Sequence, residues 1–173
     1  MKEYKFLENY VVKEYWKMEL GQSATDTLTL TPEIVADLTE IQVLGEVKVN
    51  LIWEKAEKFL MLNLSVLGEL NQECSKCLKV TLHKIENESE FEFSQSVEDG
   101  DDRIKITSDL AVNLIQPIID TFVTAIDQFP VCKKSCLGLC PTCGVNLNDN
   151  PDHKKANTNH FISEEVDNKP KIV

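Results

Sequence analysis

Hydrophobic and polar residues alternate most clearly in the middle of the chain. Val47, Val49 and Leu51 interleave with Glu46, Lys48 and Asn50, the spacing of two that sends one set to a core and the other to water and so predicts a strand. A polar break, Glu54-Lys55-Ala56-Glu57-Lys58, precedes Leu60, Leu62, Leu64 and Val66, with Asn63 and Ser65 on the opposite parity. This predicts a second, longer strand joined to the first as a hairpin and running toward Cys74. Alternation restarts at Val80 and Leu82. Glu86, Glu88, Glu90 and Glu92 then share one parity against Phe91 and Phe93, and four like charges on one strand face require solvent.

The period changes further on. After a brief segment at Ile104 and Ile106 and an extended stretch from Leu110 to Leu114, residues Ile115, Ile118, Ile119, Phe122, Val123 and Ile126 fall on one helical stripe. A helix is predicted over about 115–127. Pro117 is acceptable in its first turn, where the missing N–H has no intrahelical acceptor, and Pro130 ends it. Thr31-Pro32-Glu33 reads as a second helix start, running to about Leu38; the rest of residues 1–40 gives weak signals. The fold class that follows is α+β: antiparallel strands from about 41 to 95 packed against the 115–127 helix, with a C-terminal cysteine-rich zinc knuckle. The expected organisation is an α+β domain over 1–130, a cysteine-rich metal-binding segment over 131–153 and a flexible polar tail over 154–173.

Composition narrows the function. With 173 residues the chain is long enough to bury an ordinary core, so a metal is not needed to replace one. Met1 to Glu8 mixes acids and bases where an export signal needs an apolar run, which predicts a cytoplasmic protein. The longest apolar-rich stretch, Leu110 to Ile126, is interrupted by Asn113, Gln116, Asp120 and Thr124, and no membrane span is expected. A formal net charge of −11 argues against non-specific nucleic-acid binding and suits a basic protein partner. The acidic loop Glu98-Asp99-Gly100-Asp101-Asp102 contains no basic residue and is expected to be mobile.

The candidate chemistry lies in six cysteines. In a reducing compartment, close pairs of cysteines favour metal ligation over disulfides. Cys140-Pro141-Thr142-Cys143-Gly144 has the C-x-x-C spacing that lets two thiolates converge on one ion. Its Pro sets φ inside the turn, and its Gly permits a positive φ. Cys74-Ser75-Lys76-Cys77 is a second such pair. A tetrahedral zinc ion needs four ligands, and two partitions supply them. The compact quartet Cys132, Cys136, Cys140 and Cys143 needs no long-range docking and is favoured slightly for that reason. The alternative joins Cys74 and Cys77 to Cys140 and Cys143, and His153 is a further available ligand.

Rival chemistries are weaker. Cys136, Cys140 and Cys143 have the C-x3-C-x2-C spacing of a cluster that cleaves S-adenosylmethionine, but only some thirty residues follow and no large α/β scaffold surrounds it. An iron–sulfur cluster without that chemistry ranks below zinc. A redox C-x-x-C belongs at a helix N-terminus in a βαβ setting, which Cys74 lacks, so a thiol oxidoreductase is the third function class. No Gly-rich phosphate loop occurs, His83 reads as an exposed strand residue, and Trp16 and Trp53 read as core or edge residues. Lys133 and Lys134, with Lys154 and Lys155, read equally as a local cationic spot or as ordinary solvated lysines.

Cys74-Ser75-Lys76-Cys77-Leu78, then Asn113-Leu114 before the Pro117 helix opening, then Gly138-Leu139-Cys140-Pro141-Thr142-Cys143-Gly144-Val145-Asn146-Leu147 resemble, in order and spacing, the YceD-like family of bacterial and plastid proteins. The resemblance covers roughly residues 40 to 153. It implies a non-catalytic role in ribosome large-subunit biogenesis and rRNA accumulation. The implied partners are a large-subunit precursor, its RNA or a basic ribosomal protein. The competing class is a zinc-stabilised protein- or nucleic-acid-interaction module in another pathway. No oligomeric state follows from the residues.

Overall fold

The computed structural model describes residues 5–153; the expected tail over 154–173 lies outside the described residues. Three antiparallel pairings join four strands in chain order, β2 (Ser23–Leu30), β3 (Val47–Lys55), β4 (Leu60–Glu73) and β5 (Val80–Ser94). The alternation read in the sequence sets their register. Val49 stands opposite Val66, Leu51 opposite Leu64 and Trp53 opposite Leu62, so that the apolar parity of each strand meets that of its neighbour on one face. A one-residue slip would turn the whole set to water. Beyond β5 the two-residue strand β6 (Ile104–Lys105) adds in parallel at Phe93 and Ser94.

One face of this sheet is covered. Helix α3 (Pro32–Thr39) contributes Ile34 and Val35, and helix α4 (Ile115–Thr124) contributes Ile118 and Phe122. The N-terminal segment closes the layer: helix α1 (Lys5–Glu8) inserts Leu7, strand β1 (Tyr10–Val11) pairs with β7 (Ala111–Val112), and helix α2 (Lys13–Trp16) follows. Trp53, fully buried, is stacked by Tyr15 at 5.3 Å and Tyr10 at 6.1 Å between ring centres. Trp16, half-buried, lies under the Lys55 ammonium. The expected sheet-on-helix arrangement is thus present, with an N-terminal cover and strand β2 that the sequence signalled only faintly.

Two expectations change in detail. The α4 helix ends at Thr124, not near 127, because Ala125 and Ile126 donate to carbonyls three residues back and tighten the last turn. Asp127 then caps the exit: its carboxylate accepts the Phe129 N–H, and its carbonyl accepts Gln72 Nε2 at 2.9 Å, tying the end of α4 to the far end of β4. The acidic loop after β5 is not without a cation, since Arg103, just beyond it, grips both oxygens of Asp101. That contact holds the Asp101 carboxyl below the usual carboxylate range. No helix among the described residues is long and apolar enough to cross a membrane.

Candidate metal centre

The long β4–β5 hairpin ends in a turn made of Cys74-Ser75-Lys76-Cys77. In it the Leu78 N–H donates to the Cys74 carbonyl at 2.9 Å, and the Cys74 N–H donates to the Lys79 carbonyl at 2.9 Å. Both thiols point inward and are buried. The chain leaving α4 then crosses this tip. The Ser75 N–H donates to the Pro130 carbonyl at 2.8 Å, which delivers Cys132 and Cys136 to the same place.

The result is a group of four thiols. The sulfurs of Cys74, Cys77, Cys132 and Cys136 all lie within 4.8 Å of one another. Cys74 Sγ is 3.9 Å from Cys136 Sγ, and Cys77 Sγ is 3.6 Å from Cys132 Sγ. Four sulfurs bound tetrahedrally to zinc at about 2.3 Å would be about 3.8 Å apart, so the donor set fits that ion in number, kind and spacing. All six cysteines are free thiols.

The polar surroundings favour the thiolate at two of the four, Cys74 and Cys136. Cys74 is brought down to about 6, chiefly by the backbone N–H of Cys132 and then those of Lys76 and Cys77, against the opposing effect of burial. Cys136 is lowered first by the Asn148 amide, whose Nδ2 lies 3.4 Å from its sulfur. Burial pushes Cys132 up to about 12, and Cys77 is raised too although the Lys79 backbone N–H acts to lower it, so these two thiols ionise less readily than their partners.

A second, smaller group lies one loop further on. Cys140, Cys143 and His153 bring two sulfurs and a ring nitrogen within 4.8 Å of one another, and Cys143 Sγ is 3.2 Å from His153 Nε2. The backbone N–H groups of Thr142 and Cys143 bring Cys140 down to about 6. Cys140 is buried, His153 half-buried and Cys143 exposed.

The quartet Cys132, Cys136, Cys140 and Cys143 is therefore not gathered at one point, nor are Cys74 and Cys77 with Cys140 and Cys143. The segment Cys136–Cys140 runs between the two groups, handing its first sulfur to one and its last to the other. Gly138 makes this passage fit. It sits at φ +76°, and a Cβ there would lie 3.1 Å from the Lys76 carbonyl oxygen, while the next residue, Leu139, donates its N–H to that same oxygen at 3.0 Å. Nothing in the local sequence marks Gly138 and Asn148 as parts of the site; Gly138 lies in the Gly-Leu-Cys-Pro-Thr-Cys-Gly motif, but only the position of Lys76 reveals its role.

His83 is half-buried, with Nε2 2.9 Å from the Thr81 hydroxyl, away from both groups. Elsewhere a groove of about 890 Å³ opens between β5 and α4, and its lining includes Glu90, Glu92, Asp102 and Asp120.

The family model described as large ribosomal RNA subunit accumulation protein YceD matches residues 62–163, a span that includes all but the first two residues of β4, the whole of β5 and α4, and all six cysteines. An uncharacterized protein of Mycobacterium bovis and two of Mycobacterium tuberculosis are each 28% identical over 134 residues. Those alignments cover 75% of this chain and 65% of each relative, so the chain spans slightly less than two thirds of their length. No solved structure matches it significantly. With more than half of its residues inside the match, this chain belongs to the YceD family.

Proposed function

We propose that the protein is a non-catalytic accessory factor in ribosome large-subunit biogenesis, supporting accumulation of large-subunit rRNA, and that a structural zinc ion held by Cys74, Cys77, Cys132 and Cys136 fixes the lobe that does so. The biological role rests on the family's description. The metal assignment rests on one observation: four thiols from segments 55 or more residues apart meet at zinc-like spacing inside the fold. Closed, buried four-sulfur sets hold structural rather than reactive zinc.

The charge distribution supports a division of labour. Residues 74–84 and 130–147 form the metal lobe and carry Lys76, Lys79, Lys84, Lys133 and Lys134, all exposed, with no Asp or Glu in either stretch. None of the five makes an ion pair among the described residues. In a chain of net charge −11 this is a pronounced local excess of cation, suited to phosphate oxygens. Phe129, 74% exposed beside it, offers a ring on which an unpaired base can stack. On the outward face of β5 the side chains change from Val80, Leu82 and Lys84 to Glu86, Glu88, Glu90 and Glu92. That acidic end, continuous with the groove beside α4, suits a basic ribosomal protein.

Exposed Leu78, Val80, Leu82 and Leu137 around the lobe favour a second reading, a zinc-stabilised protein-interaction module. Depleting the protein decides between the two. The first reading expects reduced large-subunit rRNA and co-sedimentation with large-subunit precursors; unchanged rRNA levels refute it.

A further inference from the structure

The two C-x-x-C turns are copies of one another in backbone. In the first, the Cys74 N–H donates to the carbonyl five residues on, Lys79, and the N–H four residues on, Leu78, donates back to the Cys74 carbonyl. In the second, the Cys140 N–H donates to the Val145 carbonyl at 2.8 Å, and the Gly144 N–H donates back to the Cys140 carbonyl at 2.8 Å. The fifth residue of each turn is left-handed, Leu78 at φ +59° and Gly144 at φ +74°. Each turn aims two sulfurs at one point. What differs is how the point is completed: Cys132 and Cys136 supply two more sulfurs to the first, whereas His153 alone among the described residues supplies a third donor to the second.

His153 is placed by folded chain. Leu139 and Asn146 form a bridge, the Asn150 N–H donates to the Asn146 carbonyl at 3.1 Å, and the His153 N–H donates to the Asn150 carbonyl at 3.1 Å. Two successive turns therefore return the imidazole to Cys143. The 3.2 Å between Cys143 Sγ and His153 Nε2 is a few tenths of an ångström below the ~3.5 Å that separates sulfur and nitrogen ligands of one zinc ion, a difference a ring rotation absorbs. Cys143 is exposed, so the side of the site away from buried Cys140 faces water.

We propose that Cys140, Cys143 and His153 form a second zinc site, loaded separately from the four-thiol site, whose fourth position no described residue fills and which takes an exchangeable ligand there: water in the isolated protein, an imidazole or thiolate when one is offered. Three protein ligands with an open position are what distinguishes a reactive or ligand-accepting zinc from a purely structural one. The inference shares the identity of the metal with the preceding section but does not depend on the ribosomal role.

The test uses the full chain purified without chelators. Wild type is expected to hold two zinc ions, released to a competing chelator in a fast and a slow phase. His153→Ala and Cys143→Ser are each expected to halve the zinc content, abolish the fast phase and leave the circular dichroism of the sheet unchanged. In the cobalt-substituted protein, added imidazole is expected to shift the visible spectrum of wild type and not that of Cys143→Ser. Wild type carrying one zinc that His153→Ala does not remove would overturn the proposal and leave the four-thiol assignment standing. A cobalt spectrum unmoved by imidazole, or loss of the second zinc in His160→Ala, would overturn the open fourth position. Unchanged rRNA on depletion bears only on the biological role.

Discussion

The two cysteine turns are alike in backbone and unlike in fate. The turn at Cys74 closes a hairpin of long strands and is overlaid by the chain leaving α4, so its sulfurs are buried among two more from far along the sequence. The turn at Cys140 is completed by its own downstream loop and keeps one sulfur exposed. A local C-x-x-C motif therefore specifies how two thiols are presented, while the element docked against it decides whether the site is closed or open.

The largest test of this contrast is removal of one buried ligand. Cys74→Ser is expected to abolish zinc binding at the four-thiol site and to release the lobe. Hydrogen exchange should rise by orders of magnitude over 74–84 and 130–148, while the strands around Trp53 stay protected. The core there is a cluster separate from the buried cysteines. Cys143→Ser should produce no such loosening, and equal loosening in both variants would remove the distinction between the sites.

Next in size is the passage between the sites. Gly138→Ala places a Cβ against the Lys76 carbonyl in a left-handed conformation and should cost about 1–2 kcal/mol, read as a lowered midpoint of denaturation. Asn148→Ala removes the amide that steadies the Cys136 sulfur. It should weaken zinc at the four-thiol site by about tenfold or more while leaving release from the second site unchanged, as measured by chelator competition.

Acidity acts on the first cysteine of each turn. In the folded lobe the thiols of Cys74 and Cys140 fall from the ordinary 9.0 to about 6, chiefly through backbone N–H groups, so folding favours their thiolates. The stability they lend is complete above the ordinary value and is lost as pH falls through about 6. Protein purified without chelators should therefore melt at a lower temperature at pH 5 than at pH 8, because protons displace both the folded-state hydrogen bonds to these thiolates and any bound metal. Cys74→Ser and Cys140→Ser should each reduce that difference.

The smallest effect comes from exchanging the turns' fifth residues. Leu78→Gly relieves a left-handed leucine and should stabilise by up to about 1 kcal/mol, and Gly144→Leu should cost about as much, both followed by denaturant titration. If the two changes had the same sign, the turns would not be backbone equivalents.

How far these features were legible follows the same division between local and distant. The β3–β4 hairpin was readable because its core face carries apolar residues at every second position from Val47 to Trp53 and from Leu60 to Val66; β5 was signalled partly by Val80 and Leu82, which prove exposed, while its inward positions include Thr81, His83, Asn87 and Ser89. Strand β2 was not, because its inward positions include Ala24 and Asp26; one carboxylate oxygen accepts the neighbouring Thr27 N–H and the other the hydroxyls of Tyr10 and Tyr15, which sequence spacing does not bring near. Tyr10 donates to Asp26, and burial, followed by that bond, pushes its phenol well above the ordinary tyrosine range. The C-x-x-C pairs and the availability of His153 were local and legible. The grouping of the cysteines was not, because it depends on two contacts made across the fold, Ser75 to Pro130 and Gln72 to Asp127. Preference for a compact quartet rested on avoiding long-range docking, and here the sheet and α4 supply that docking.

X-ray absorption at the zinc edge of the Cys140→Ser/Cys143→Ser double variant bears most directly on the four-thiol assignment, because only Cys74, Cys77, Cys132 and Cys136 remain as sulfur donors. The expected result is one zinc per chain with four sulfurs at about 2.3 Å and no nitrogen. A shell of two sulfurs completed by lighter atoms, or a folded protein with no zinc, would contradict it.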